Sequence, residues 1–227
     1  MITPIINNYN SLSGTWDTHL LATVLSDPIL RDHLEGSILE SLTRYSLQGI
    51  SIDFEEIDES TLPFYYSFLE ELHTKMQGQY SLSVNIPINN NSYDYERIGI
   101  AVDALMVMAY DEHWLTGGAG PIASLDWFED GITEVLKNVA KEKVTVILGN
   151  YGYDWNITRK TTTALTFQET MALARESDNS IYFDSGSLNP GFSYTDEVGN
   201  NHEIWYLDAI TAYNQMQVLE KLGVNNV

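Results

Sequence analysis

The feature that most constrains the fold is a regular alternation of short apolar segments with longer amphipathic ones. Segments such as Ala104–Tyr110 (ALMVMAY) carry hydrophobic residues at consecutive positions, so both faces of such a strand would be buried. The segments between them repeat apolar residues every three or four positions, which is typical of helices. This alternation predicts an α/β fold in which helices cover a parallel sheet.

Five segments are predicted to be full core strands, and a sixth strand begins at the last four residues: Pro4–Tyr9, Ile50–Phe54, Tyr80–Pro87, Ala104–Tyr110, Val144–Tyr151 and Val224–Val227. The intervening helices are expected at Ser60–Met76, Leu125–Ala140 and Asp208–Gly223, and at a segment whose apolar face is Leu30, Leu34, Ile38, Leu42 and Tyr45. A closed (β/α)8 barrel usually needs about 250 residues. We therefore expect a TIM (β/α)8-type barrel that is incomplete, without its first strands and most of its last.

The alternation of predicted strands and helices ends after Trp155. Thr166–Asp178 predicts a short helix with a capping box, and the turn-rich residues after it alternate as in antiparallel strands. We interpret residues 1–227 as one domain with a small α+β insertion at about 156–206.

Composition excludes several classes of function. The 32 acidic and 11 basic residues give a net charge of −21, which disfavours nucleic acid and anionic membranes as partners. No cysteine is present, so thiolate catalysis and cysteine metal sites are excluded. The five histidines have no metal-ligand spacing, so we expect neither metal nor cofactor. The first ten residues do not have the pattern of a signal peptide, and no segment is long and apolar enough for a membrane span.

Acidic residues occupy one side of the otherwise apolar stretch Gly49–Glu56 (GISIDFEE). Because strand side chains alternate, Ser51, Asp53 and Glu55 share a face, with Glu55 about 7 Å beyond Asp53. Barrel active sites lie at the carboxyl ends of the strands, where Glu55 would emerge. An isolated pair of this kind also occurs where a strand simply ends in solvent.

Four segments in order strengthen the functional interpretation, because they resemble glycoside hydrolase family 18, the chitinase and N-acetylglucosaminidase family. Gly49–Glu55 resembles its DGxDxDxE signature, and Met108–Asp111 (MAYD) its MxYD motif. Tyr151–Trp155 is similar to the segment after the seventh strand. His202–Ala209 resembles the insertion exit of the branch that contains bacterial cell-wall and spore-cortex hydrolases. The segment around His113 looks most like domains fused to polysaccharide deacetylases and glycosyltransferases.

The resemblance implies a set of roles. Glu55 would be the general acid/base, Asp53 its supporting aspartate, and Tyr110 the residue that hydrogen-bonds the substrate's acetamido group. Asp111 would be a neighbouring polar contact. Trp114, Tyr151, Trp155 and Ser51 are further candidates for the substrate site, although a tryptophan of this kind is as often a packing residue.

Two positions depart from the family signature. Gln48 replaces its first aspartate and Ser51 its second, which in the family holds the residue equivalent to Asp53. A serine can hydrogen-bond, but it cannot share a proton as a carboxylate does.

The implied reaction is retaining hydrolysis of a polysaccharide or oligosaccharide that contains β-linked N-acetylglucosamine, with the substrate's acetamido group as nucleophile. Two alternatives remain at this point: a non-catalytic carbohydrate-binding domain and a truncated, inactive barrel. We expect the segment to belong to a larger, multidomain bacterial protein that acts outside the cytoplasm.

Overall fold

The computed structural model describes residues 3–90 and 92–227. The chain divides into two compact units. The first comprises Met1–Val107, Val135–Thr145 and Asn226, and the second comprises Met108–Glu134, Val146–Asn225 and Val227. The helices are α1 (Thr18–Ser26), α2 (Pro28–Arg44), α3 (Leu62–Met76), α4 (Tyr95–Ala101), α5 (Leu125–Asn138), α6 (Phe167–Glu176) and α7 (Ala209–Leu222).

A five-stranded sheet of order β1-β4-β5-β6-β7 carries the predicted core strands: β1 (Ile5–Asn7), β4 (Gly49–Asp53), β5 (Ser81–Pro87), β6 (Ala104–Met108) and β7 (Val144–Ile147). Strand β4 pairs in parallel with both β1 and β5. Near the end of the chain, Asn226 forms an isolated parallel bridge to Thr145 of β7, where a further strand is expected to begin. The α/β prediction is confirmed, and β2 (Tyr9–Asn10) and β3 (Thr15–Trp16) add a hairpin that it did not include.

Strand β4 is anchored through its apolar face. Ile50 and Ile52 are 3% and 0% exposed. Phe54, which follows the strand, packs against Tyr65 and Phe68 of α3, with ring centroids 6.0 and 5.8 Å apart. Burial of these side chains fixes the register, so the polar residues of the strand must point to its other face.

Helix α2 differs from the predicted amphipathic pattern. Ile38 and Leu42 are buried as expected, but Leu30 and Tyr45 are 41% and 63% exposed. The prediction was wrong at these two positions because the buried stripe of the helix includes charged residues.

Those charged residues are Arg31 and Glu35, which pair with α3. The Arg31 guanidinium donates two hydrogen bonds to Glu71, of 2.8 and 2.9 Å. The Lys75 ammonium lies 2.6 Å from the fully buried Glu35 carboxylate. Buried charges are tolerated when they are paired, which hydrophobic periodicity cannot reveal.

The second unit is built around an antiparallel sheet of order β10-β11-β12-β8-β9. Its strands are β8 (Tyr151–Asn156), β9 (Thr161–Thr166), β10 (Tyr182–Phe183), β11 (Pro190–Thr195) and β12 (Asn201–Tyr206). The antiparallel excursion is therefore present, but its first strand begins at Tyr151 rather than near residue 156. The strand predicted at Val144–Tyr151 is shorter in the structure. It ends at Ile147, and Tyr151 is the first residue of β8.

Two helices of this unit have the termini that the sequence predicts. Thr166 and Glu169 form a reciprocal capping box at the start of α6. Asp208 accepts hydrogen bonds from the first turn of α7, and Gly223 ends that helix with φ of +74°. Among residues 3–90 and 92–227, no helix is long and apolar enough to cross a membrane.

Candidate active site

The polar face of β4 carries Ser51 and Asp53, and Glu55 lies two residues beyond the end of the strand. The first residue of the strand must be glycine, because a Cβ on Gly49 would lie 2.3 Å from the carbonyl oxygen of Ser81 on β5. Close approach of these strands brings their side chains within hydrogen-bonding distance. The position of the acids at the carboxyl end agrees with the sequence prediction.

An asparagine on β5 links Ser51 to Asp53. The Ser51 hydroxyl donates to Asn85 Oδ1 over 3.1 Å, and Asn85 Nδ2 donates to Asp53 Oδ1 over 3.1 Å. Burial raises the pKa of Asp53 above its usual range, and the hydrogen bond from Asn85 opposes part of that rise. The predicted candidate Ser51 is therefore joined to Asp53 through a residue that sequence reasoning missed.

A second asparagine, on the β1 side, holds the backbone of Glu55. The Glu55 amide donates to Asn8 Oδ1 over 2.9 Å, and Asn8 Nδ2 donates to the Glu55 carbonyl over 3.1 Å. Glu56 then adopts φ of +53°, a left-handed conformation that is uncommon for glutamate. These two hydrogen bonds hold the backbone at the point where the chain leaves β4. They therefore fix the backbone position from which the Glu55 side chain extends.

Tyr93 is a further titratable residue in the neighbourhood of Glu55 in the first unit. Burial raises the pKa of Tyr93, and the charges of nearby groups that include Glu55 raise it further. Tyr93 thus stays protonated at neutral pH and can act as a hydrogen-bond donor.

Strand β6 ends at Met108, the first residue of the MAYD segment, and Tyr110 and Asp111 lie beyond that end in the second unit. Asp111 has φ of +66° and accepts hydrogen bonds from the hydroxyls of Tyr151 (2.5 Å) and Tyr153 (2.9 Å). Burial raises the pKa of Asp111, and these two hydrogen bonds oppose the rise. A left-handed backbone at a half-buried carboxylate is a common feature of functional sites.

Aromatic rings form a row along one face of β8. Tyr110 packs edge-on against Tyr151, with centroids 5.8 Å apart. Tyr151 and Tyr153 follow at 5.4 Å, and Tyr153 and Trp155 at 5.3 Å. The structure therefore brings the predicted residues Tyr110, Asp111 and Tyr151 together.

The two predicted tryptophans differ in environment. Trp114 is 42% exposed and can offer a ring face to a ligand. Trp155 is 3% exposed and lies in a cluster with Ile122 and Trp205, which favours packing over sugar stacking. Its role as a substrate contact stays a prediction. His113 bonds the Pro121 carbonyl through Nδ1 over 2.8 Å, as expected of a loop residue.

A cavity of about 640 Å³ lies within the second unit beside this row. Tyr151 lines one part of it, and Leu165, Phe167 and Leu207 line others. No group of three or more His, Cys, Asp or Glu residues in the described ranges is arranged to hold a metal ion.

Asn8 and Asn85 are the residues that sequence reasoning missed. The available signal for Asn85 was the alternation of Ser81, Ser83 and Asn85 against the buried Leu82, Val84 and Ile86 in the next strand. The available signal for Asn8 was a pair of asparagines at the end of an otherwise apolar strand.

Comparison with known proteins shows the family of the chain. The model of glycosyl hydrolases family 18 matches residues 6–221. This chain therefore belongs to glycosyl hydrolases family 18, and the predicted family is confirmed.

Several of the similar proteins have names that refer to sporulation or to the cortex. It is 28% identical to the "Putative sporulation-specific glycosylase YdhD" of Bacillus subtilis, over 97% of this chain and 55% of the relative. It is 24% identical to the cortical fragment-lytic enzyme of Bacillus anthracis, over 99% of this chain and 55% of that protein. The chain thus spans about half the length of these curated relatives.

Solved structures share the fold. The crystal structure of YdhD superposes with a TM-score of 0.90, 26% identity, and coverage of 97% of this chain and 77% of that one. The chitinase of Chromobacterium violaceum superposes with a TM-score of 0.88 and 23% identity, covering 97% and 71%.

Proposed function

We propose that this chain hydrolyses polysaccharide containing β-linked N-acetylglucosamine, by a retaining mechanism in which the substrate's acetamido group is the nucleophile. The observation that carries the proposal is the placement of Glu55 and Asp53 at the carboxyl end of β4 in a chain of glycosyl hydrolases family 18. Residues 1–227 would act as one glycoside hydrolase domain, with the parallel sheet as part of a (β/α)8-type barrel.

The first chemical step depends on residues of the first unit. The acetamido carbonyl oxygen attacks the anomeric carbon, and the glycosidic C–O bond breaks. Glu55 gives its proton to the departing oxygen as general acid. Asp53 accepts a hydrogen bond from the acetamido N–H and stabilises the positive charge that develops on the oxazolinium ring.

The second step reverses the role of Glu55. A water molecule attacks the anomeric carbon from the side that the leaving group vacated, and the Glu55 carboxylate takes its proton. The oxazolinium ring opens, the acetamido group is restored, and the configuration of the anomeric carbon is retained. Because the same carboxyl group serves as acid and then base, the enzyme returns to its starting protonation state.

Residues of the second unit take roles that follow from the family motif. Tyr110 would donate a hydrogen bond to the acetamido oxygen. Asp111 would contact the sugar, held by the hydroxyls of Tyr151 and Tyr153. The exposed ring of Trp114 would stack on an apolar sugar face.

The class of polymer is supported by the relatives. One is a cortical fragment-lytic enzyme, and among the solved structures is a tobacco class V chitinase in complex with NAG4, 16% identical to this chain. The ligand in the second name, NAG4, is an N-acetylglucosamine oligosaccharide. Because this chain carries a net charge of −21, a partly deacetylated, cationic glycan would also suit it.

Hydrolysis of N-acetylglucosamine oligosaccharides by wild type and by Glu55→Gln tests the proposal. Removal of a general acid lowers the rate by about 10²–10⁴-fold, whereas binding of the same sugars should persist. Binding without cleavage by wild type would instead support a carbohydrate-binding domain. An equal rate in Glu55→Gln would remove Glu55 from the mechanism.

A further inference from the structure

Asn85 occupies a position from which it contacts both polar residues of β4. Strands β4 and β5 pair in parallel with Ser51 opposite Ser83 and Ile52 opposite Val84. Two residues further along each strand, Asp53 and Asn85 therefore lie side by side on the same face. This register explains why the amide reaches Asp53 and Ser51 at once.

The chemistry of the three groups fixes the direction of both hydrogen bonds. An ionised Asp53 can only accept, so Asn85 must turn its NH2 group toward it. The amide oxygen of Asn85 is then left for Ser51, whose hydroxyl has a proton to donate. Both contacts measure 3.1 Å. A 180° flip of the Asn85 amide would place its oxygen against the Asp53 carboxylate. The hydrogen bond from Ser51 disfavours that flip.

We propose that Asn85 is a positioning residue for Asp53, held in orientation by Ser51, and that this pair takes over the task of the aspartate that the family signature has at position 51. The proposal rests on the proposed function for its catalytic consequence. The positioning itself is a property of the folded chain and can be measured separately.

An amide and a carboxyl group differ as partners for an aspartate. A carboxylic partner donates a hydrogen bond only while it is protonated, and once ionised it repels Asp53. An amide donates at every pH and carries no charge. Asp53 therefore keeps the same donor throughout its titration. Its neighbours among the titratable groups of the first unit include Glu55, two residues along the chain, and Tyr65 of α3, whose pKa Asp53 helps to raise.

Carboxyl 13C NMR measures the positioning without any substrate. The Asp53 signal is identified by its loss in Asp53→Asn, and its pKa is then compared in wild type, Asn85→Ala and Ser51→Ala. We expect the Asp53 pKa to rise in Asn85→Ala, because a hydrogen bond to the ionised form is lost. A smaller rise is expected in Ser51→Ala. Ser83→Ala is the matched control, since Ser83 lies on the same face of β5 and bonds the Ile50 carbonyl instead.

Kinetics on N-acetylglucosamine oligosaccharides measure the consequence. Misplacement of a reacting group can cost about 10²-fold in rate, so kcat should fall by up to that factor in Asn85→Ala while KM changes little. Asn85→Asp should recover activity on the acid side only, where the new carboxyl group is protonated and can donate. A merely structural role for Asn85 would not produce this change in the pH profile.

The outcomes separate the two proposals. An Asp53 pKa that is the same in wild type and in folded Asn85→Ala overturns the positioning role, whatever the kinetics. A shifted pKa in a protein that cleaves no oligosaccharide upholds the positioning role and counts against the proposed hydrolysis. An identical pH profile for wild type and Asn85→Asp would also overturn it.

Discussion

Two buried or half-buried carboxylates, one in each unit, are held in different ways. Asp53 accepts a hydrogen bond from the side-chain amide of Asn85, which does not titrate. Asp111 accepts hydrogen bonds from the hydroxyls of Tyr151 and Tyr153, and its backbone is in the left-handed region. Burial raises the pKa of both groups.

The difference in partners suggests a difference in task. A carboxylate whose donor is an uncharged amide keeps its own charge unpaired by that donor, so it can respond to charge that develops in a transition state. A carboxylate with two tyrosine donors is already largely satisfied, so it is better suited to fixing the shape of a binding surface. We therefore expect Asp53 to govern kcat and Asp111 to govern KM.

Substitution of each aspartate by asparagine is the strongest test of this comparison. Asp53→Asn removes a charge that acts in the transition state, so kcat should fall by about 10²–10³-fold. Asp111→Asn keeps the shape and part of the hydrogen bonding, and KM should rise about five- to tenfold. Steady-state kinetics on one oligosaccharide measure both. Equal losses of kcat in the two variants would contradict the division of tasks.

The same pair predicts how stability depends on pH. For both groups the folded-state pKa is raised above the ordinary 3.8. Between about pH 3.8 and the raised pKa, the folded state therefore binds more protons than the unfolded state. The contribution of these two groups to the free energy of unfolding should therefore be most favourable at acid pH. It should fall as the pH rises through their folded-state pKa values.

Asp53→Asn removes one such group. We expect it to raise the free energy of unfolding at neutral pH and to flatten the pH dependence, because an ionised and partly buried carboxylate is no longer present. Urea unfolding at several pH values measures this. A variant that is less stable than wild type at neutral pH would show that the Asn85 hydrogen bond outweighs the cost of burial.

The sequence predicted those parts of the candidate site whose signals are local. Asp53 and Glu55 stand out because they are charged residues in or beside an apolar strand, and the order of the family motifs located Tyr110 and Asp111. Asn85 and Asn8 were missed because their positions in the sequence do not show which residues they contact. Only pairing of β5 with β4 makes Asn85 the neighbour of Asp53.

Local sequence patterns also could not show whether a given side chain is buried or exposed. Trp114 and Trp155 both come after strands that the sequence predicts, and nothing in their immediate sequence shows that one is exposed and the other buried. In helix α2 the prediction of the buried face was wrong. An apolar stripe was expected there, but Arg31 and Glu35 are buried as ion pairs with α3.

Asn8 allows a smaller test on the Glu55 side of the first unit. Asn8→Ala removes both hydrogen bonds to the backbone of Glu55, so the carboxyl group should sample several positions and kcat should fall about tenfold. Asn10→Ala is the control, because Asn10 accepts from the amides of Leu12 and Ser13 in the adjoining hairpin. Unchanged kcat in Asn8→Ala, with the fold intact, would show that Glu55 is positioned by other contacts.

The two tryptophans give the finest comparison within the second unit. Loss of one stacking contact costs about 0.5–1.5 kcal/mol, so Trp114→Ala should weaken oligosaccharide binding about two- to tenfold and leave the melting temperature unchanged. Trp155→Ala should lower the free energy of unfolding by about 3–5 kcal/mol, because it empties a buried cluster. Isothermal titration calorimetry and thermal unfolding on both variants separate the effects. If Trp114→Ala binds as well as wild type, sugar stacking must be sought elsewhere, and the row of Tyr110, Tyr151 and Tyr153 becomes the next surface to test.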